Sequence, residues 1–145
     1  MTAEDNATLF RQFIEEVVNQ GNVAAIDDLT TPDFAEHEEL PPGIPQNREG
    51  VKQLFAMVHQ AFPDLTATVE DEIVQGDKVV FRMSWRGTHN GEFLGIPPTG
   101  RQVTFPVIDI VRVVGGKVVE HWGVSDQLSM LQQLGAIPQP GPATA

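Results

Sequence analysis

The chain has no cysteine. That excludes disulfides and thiolate metal sites, and it is compatible with the reducing cytoplasm, the location expected here. Basic residues are scarce: 9 Lys and Arg stand against 20 Asp and Glu, a formal net charge of −11. Such a surface repels phosphate backbones and anionic lipid, so neither nucleic acid nor membrane is an expected partner. No apolar run approaches the roughly 20 residues that span a bilayer. The opening MTAEDNATLF is acidic and lacks a signal peptide's basic start and apolar core. Also missing are a nucleophile elbow, a phosphate-binding loop, HExxH, an EF-hand loop and a dinucleotide fingerprint.

What is present suits one globular domain. At 145 residues, with 41% hydrophobic and 20% charged residues, the chain has enough apolar side chains for a single core without staples. Residues 1–137 are read as that domain. Residues 138–145, rich in Pro and Gly, are read as a disordered tail.

Periodicity changes once along the chain. Leu9, Phe10, Phe13, Ile14, Val17 and Val18 recur at helical spacing, and Gly21 is placed to end that helix. Val23 to Leu29 reads as a second short helix, and a new element starts at Thr31. Glu49 to Phe62 reads as a third helix, with Val51, Leu54, Phe55, Val58 and Phe62 on one face. From Leu65 the period becomes 2. Leu65, Ala67, Val69 and Asp71 form one row, and Val79, Phe81, Met83 and Trp85 another. Val103 to Val114 and Lys117 to Gly123 read as strands joined by a Gly115-Gly116 turn. Ser125 is placed to cap a last helix over 126–134. Helices first and strands after predict an α+β fold: a curved antiparallel sheet, with about three N-terminal helices enclosing an apolar pocket.

Strand parity supplies the functional signal. Val103, Phe105, Val107, Asp109 and Val111 share a face, and Asp109 is the one acid among them. A buried carboxylate must be paired, solvated in a cavity or protonated. On the returning strand Val119, His121 and Gly123 share a face, and the turn at 115–116 makes residues 109 and 121 direct or diagonal neighbours. Asp109 and His121 therefore read either as an acid–base pair in a pocket or as a structural ion pair. Trp85 and Trp122 read as packing residues before binding platforms. His37, among Glu36, Glu38 and Glu39, reads as part of a solvated acidic segment rather than a metal site. Val80, Ile108 and Ile110, if on the outer sheet face, predict a homodimer through it.

The run Gly87-Thr-His-Asn-Gly-Glu-Phe-Leu-Gly-Ile-Pro-Pro-Thr-Gly100 resembles a segment of the SnoaL-like polyketide cyclases, as do Gly116-Lys-Val-Val-Glu-His-Trp122 and Leu131-Gln-Gln-Leu-Gly135. The resemblance implies a cone-shaped α+β barrel of the nuclear transport factor 2-like type, often dimeric. It also implies ring closure of a polyketide ester by acid–base catalysis, with no metal and no cofactor. Carried over residue by residue, it places the family's catalytic Asp at Gly123, a pocket-facing His at Asp109, and a family His at His121. Asp126 matches an acid just beyond the catalytic position, and Val18, Glu36 and Met57 match cavity-lining positions.

The candidate catalytic residues are thus Asp109, His121 and Asp126. The candidate substrate-binding residues are Phe13, Val18, Glu36, His37, Leu54, Met57, Val58, Trp85, Val107 and Gly123. The leading expectation is a cofactor-independent cyclase, isomerase or lyase acting on a small apolar carbonyl or ester compound. Two alternatives stand beside it. One is a non-catalytic small-molecule-binding domain. The other is an epoxide hydrolase-like enzyme, which needs an arginine beside its acids.

Overall fold

The computed structural model describes residues 2–138, so the expected tail lies outside them except for its first residue. The first helical stretch is α1 (Ala3–Phe13), capped by Thr2 and Asp5 in a reciprocal capping box and continued by a π-helical segment, Ile14–Asn19. The short α2 (Ala25–Leu29) leads into β1 (Thr30–Glu36). Helix α3 (Arg48–Ala61) starts at Asn47, whose side chain accepts from the Gly50 amide. Four strands follow: β2 (Thr66–Gln75), β3 (Lys78–Thr88), β4 (Gln102–Val114) and β5 (Lys117–Ser125). Helix α4 (Gln127–Gln133) closes the described chain.

The strands form one open sheet in the order β1-β5-β4-β3-β2. Its four later strands are antiparallel neighbours, as the alternation predicts. The sheet as a whole is mixed, because β1 lies parallel to β5 at the edge. A parallel neighbour needs a long crossover, and everything from α3 to β4 supplies it here. Gly115 and Gly116, at φ 58° and 78°, make the β4–β5 turn with the left-handed backbone that a two-residue hairpin favours.

The core lies between the concave sheet face and the helices. Phe81 and Met83 of β3, Val79 beside them, and Val103 and Val111 of β4 are fully buried. Phe10 of α1 stacks on Phe81 with ring centroids 4.5 Å apart. Each such side chain contributes about 1.5–3 kcal/mol of transfer free energy. The row expected to run on from Val69 to Asp71 is broken. A bulge between them turns Asp71 to the outer face, where its carboxylate accepts from Arg82 Nε at 2.6 Å.

Candidate active site

A cavity of about 430 Å³ lies between the helices and the concave face. Most of its wall is apolar. Phe13, Val18, Leu54, Val58, Trp85 and Val107, all expected at a binding site, line it. Trp85 therefore packs against Phe55 and Phe105 and faces the cavity at once, with ring centroids 6.3 Å from each.

One side of the wall is polar, and strand register builds it. Asp109 of β4 is paired with Gly123 of β5, and Val111 with His121. The His121 ring leans diagonally to Asp109 across the space left by the glycine. Its Nε2–H donates to Asp109 Oδ1 at 2.8 Å, and its Nδ1–H donates to Glu36 Oε1 at 2.7 Å. Glu36 arrives from β1, whose residue 36 pairs in parallel with residue 121. Asp109 and Glu36 are both buried. Burial alone would lower the proton affinity of His121, but the Asp109 and Glu36 carboxylates override it and raise its pKa well above the usual 6.5.

Glu38 is the fourth member. It lies in the bend just after β1 and lines the cavity with Glu36 and Glu39, while His37 does not. Its backbone is held on both sides: Glu38 N–H donates to Glu36 Oε1 at 2.9 Å, and Gln46 Nε2 donates to the Glu36 and Glu38 carbonyls at 3.1 Å each. Burial, reinforced by the charges of Asp109 and Glu36 and opposed by His121, pushes its carboxyl up to about 7.

Several sequence expectations change here. The acidic stretch 36–39 is not wholly solvated. Strand parity could not have found Glu38, because β1 ends at Glu36 and the bend after it brings Glu38 and Glu39 to the cavity alike. His37 lies on the outer face, stacked on Trp122 at 4.8 Å and within 3.1 Å of Glu120 Oε2. Asp126, not Ser125, caps α4: its Oδ1 accepts from Ser129 N–H at 2.9 Å, which takes it out of the cavity wall. Met57 packs against the core rather than lining the cavity, because it falls off the inward stripe of Leu54 and Val58. Gly123 contributes space. A Cβ built there would lie 2.5 Å from Asp109 Oδ1 and 2.7 Å from Glu38 Oε2.

Among the described residues no arginine lines the cavity. Arg82 pairs with Asp71, Arg86 Nη1 donates to Thr68 Oγ1, and Arg112 forks onto Glu120. An acid–arginine–acid arrangement for epoxide opening is therefore not formed. Glu36, Glu38 and His121 have ligand atoms within 4.8 Å of one another, the spacing of a possible ion site. Both ring nitrogens of His121 are already engaged by carboxylates, so ligation would first break one of those contacts.

A family model described as SnoaL-like polyketide cyclase matches residues 8–134. The nogalonic acid methyl ester cyclase of Streptomyces nogalater is 29% identical over 118 residues, covering 81% of this chain and 88% of that one. The aklanonic acid methyl ester cyclase DnrD of Streptomyces peucetius is 29% identical over 136 residues, covering 89% and 92%. Among solved structures, TsrD from Streptomyces laurentii superposes with a TM-score of 0.83 at 29% identity, over 94% of this chain and 99% of that one. IdmH from Streptomyces antibioticus does so with a TM-score of 0.77 at 38% identity, over 90% and 98%.

Proposed function

The chain belongs to the SnoaL-like polyketide cyclase family, and on that footing we propose that it closes a ring in a polyketide ester by an intramolecular aldol reaction that needs no cofactor. The observation that carries this reading is a mostly apolar cavity into which Glu36, Glu38, Asp109 and His121 are brought together as one polar cluster. A volume of about 430 Å³ falls within the roughly 300–1,000 Å³ usual for small-molecule sites. The apolar wall holds the carbon skeleton. The polar cluster faces the carbons whose protons must move.

The chemistry asks little of the protein. A carbon flanked by two carbonyls gives up a proton to a carboxylate, and the electron pair delocalises as an enolate. That carbon then bonds to a ketone carbon of the same molecule. The ketone oxygen becomes an alkoxide and takes a proton back. Nothing is oxidised or reduced, and the product is an isomer. His121, kept protonated by Asp109 and Glu36, stabilises the negative charge that develops along this path.

The test is conversion of aklanonic acid methyl ester or nogalonic acid methyl ester, the compounds for which the relatives are named, to a cyclised isomer of unchanged mass. Conversion is expected to persist in EDTA. Binding of these esters without multiple turnovers would instead favour a binding domain. Asp109→Asn is expected to slow turnover by weakening the charge on His121; full turnover in a folded Asp109→Asn protein would remove Asp109 from the mechanism.

The same reading includes a homodimer of the cytoplasm. On the outer sheet face Ile73, Val80, Ile110 and Trp122 stand in one row across four strands, with Ile108 and Val124 in the next. Val124 is 70% exposed and Ile73 60%. A row of apolar side chains of this kind, bordered by the Asp71–Arg82 pair, supports pairing with a second copy. No helix of the described chain is long and apolar enough to cross a membrane.

A further inference from the structure

We propose that Glu38 is the residue that exchanges a proton with the substrate, its carboxyl standing in the space that a side chain at position 123 would otherwise fill. The assignment rests on the cyclase reading and sharpens it to one atom group.

Three observations carry it. The first is steric. A Cβ at position 123 would lie 2.7 Å from Glu38 Oε2, closer than real Cβ atoms approach, so the site is built around an acid delivered by the segment after β1. The second is a matter of hydrogen-bond capacity. His121 spends both ring nitrogens, on Asp109 and on Glu36. Glu36 Oε1 also accepts from the Glu38 amide, and Asp109 Oδ1 accepts from His121. Among the described residues, the Glu38 carboxyl accepts no hydrogen bond, although it lines the cavity. It is the carboxyl of the cluster with neither oxygen engaged, whereas Asp109 and Glu36 are each held through one oxygen by His121. The third is placement. The Glu38 backbone is pinned by Glu36 and Gln46, so its carboxyl is presented by a fixed support.

Its proton affinity suits the task. Glu36 faces it from β1, Asp109 from β4 and His121 from β5, while Glu39, exposed at its outer end, also lines the cavity. No titratable side chain from the helices lines the cavity. Burial above all, with the charges of Asp109 and Glu36 and against that of His121, brings the carboxyl to about 7, where it is available as base and as acid at neutral pH. In the proposed cycle the Glu38 carboxylate takes the proton from the carbon between two carbonyls. The new carbon–carbon bond forms, and the resulting alkoxide takes that proton back. The carboxylate is restored.

The experiment compares wild type, Glu38→Gln and Asp109→Asn on aklanonic acid methyl ester and nogalonic acid methyl ester from about pH 5 to pH 9. Glu38→Gln is expected to lose roughly 10²–10⁴-fold in kcat with KM little changed, and to lose the acidic limb near pH 7. Asp109→Asn is expected to lose less and to keep a limb, shifted downward. A folded Glu38→Gln protein with kcat near wild type overturns the assignment, and if Asp109→Asn is then inactive the cyclase reading stands without it. A wild type that converts neither ester overturns both. Should Glu38→Gln not fold, Glu38→Ala replaces it: turnover that returns with added formate supports the assignment, and undiminished turnover without formate overturns it.

Discussion

Asp109 and Gly123 are direct partners across β4 and β5, and the side chain missing from position 123 is what lets His121, two residues earlier, reach Asp109 at 2.8 Å. The strand where a resemblance places the family's acid instead supplies room. Into that room come a ring from β5, a carboxyl from β4, and two carboxyls from β1 and the segment after it.

Filling the room should be costly. In Gly123→Ala the added methyl lies 2.5 Å from Asp109 Oδ1 and 2.8 Å from His121 Cε1, so at least one of them must move. Overpacking of this kind costs about 1–3 kcal/mol. Urea denaturation should show that loss, and turnover should fall at least about tenfold as the cluster shifts. A variant as stable and as active as wild type would contradict the packing described here.

Stability should fall as pH rises from about 5.5 to 8.5. Glu38 is raised from 4.5 to about 7, so between those values the folded protein keeps a proton that the unfolded chain releases. His121 is raised well above 6.5, so its contribution is complete below 6.5 and is lost as pH climbs through the folded value. Both slopes have the same sign. The urea midpoint should be higher at the acidic end. Glu38→Gln should flatten the profile and be the more stable protein at the alkaline end, because it removes a carboxylate that is disfavoured when charged. A midpoint that rises across this interval would show the signs to be wrong.

The floor of the cavity depends on aromatic packing. Phe81 is fully buried, pairs with Asp109 across β3 and β4, and stacks on Phe10. Phe81→Ala should cost about 3–5 kcal/mol in chemical denaturation, near the whole stability of a small domain. A loss below about 1 kcal/mol would mean that the helices repack over the gap.

The outer face gives a prediction about assembly. Ile110→Lys places a charge in the middle of the row Ile73, Val80, Ile110 and Trp122 without touching the cavity. Sedimentation should find wild type as a dimer at micromolar concentration and the variant as a monomer of similar thermal stability. A monomeric wild type would dispose of the dimer.

Local pattern carried most of the architecture. The helical stripe from Leu9 to Val18, the alternation from Val79 to Trp85 and the Gly115-Gly116 turn each follow from side-chain period and backbone freedom, which neighbours in the chain decide. The same parity turned Asp109 and His121 inward and put them on adjacent strands. It failed at Asp71, where a bulge resets the alternation. At 36–39 the strand ends at Glu36, so parity says nothing of Glu38, and a run of acids resembles solvated surface unless a partner is known.

Partners are what the fold alone decided. Residue 36 and residue 121 are brought together by the parallel pairing of β1 with β5, and no local pattern encodes the direction of an edge strand. That pairing gives His121 its second carboxylate and carries Glu38 over Gly123. Sequence determined which side chains of the regular helices and strands turn toward the core, because period is a property of neighbours along the chain. Only the tertiary structure determined which of them meet, and so which carboxyl of the buried cluster stands without a hydrogen bond and close to neutral in its proton affinity.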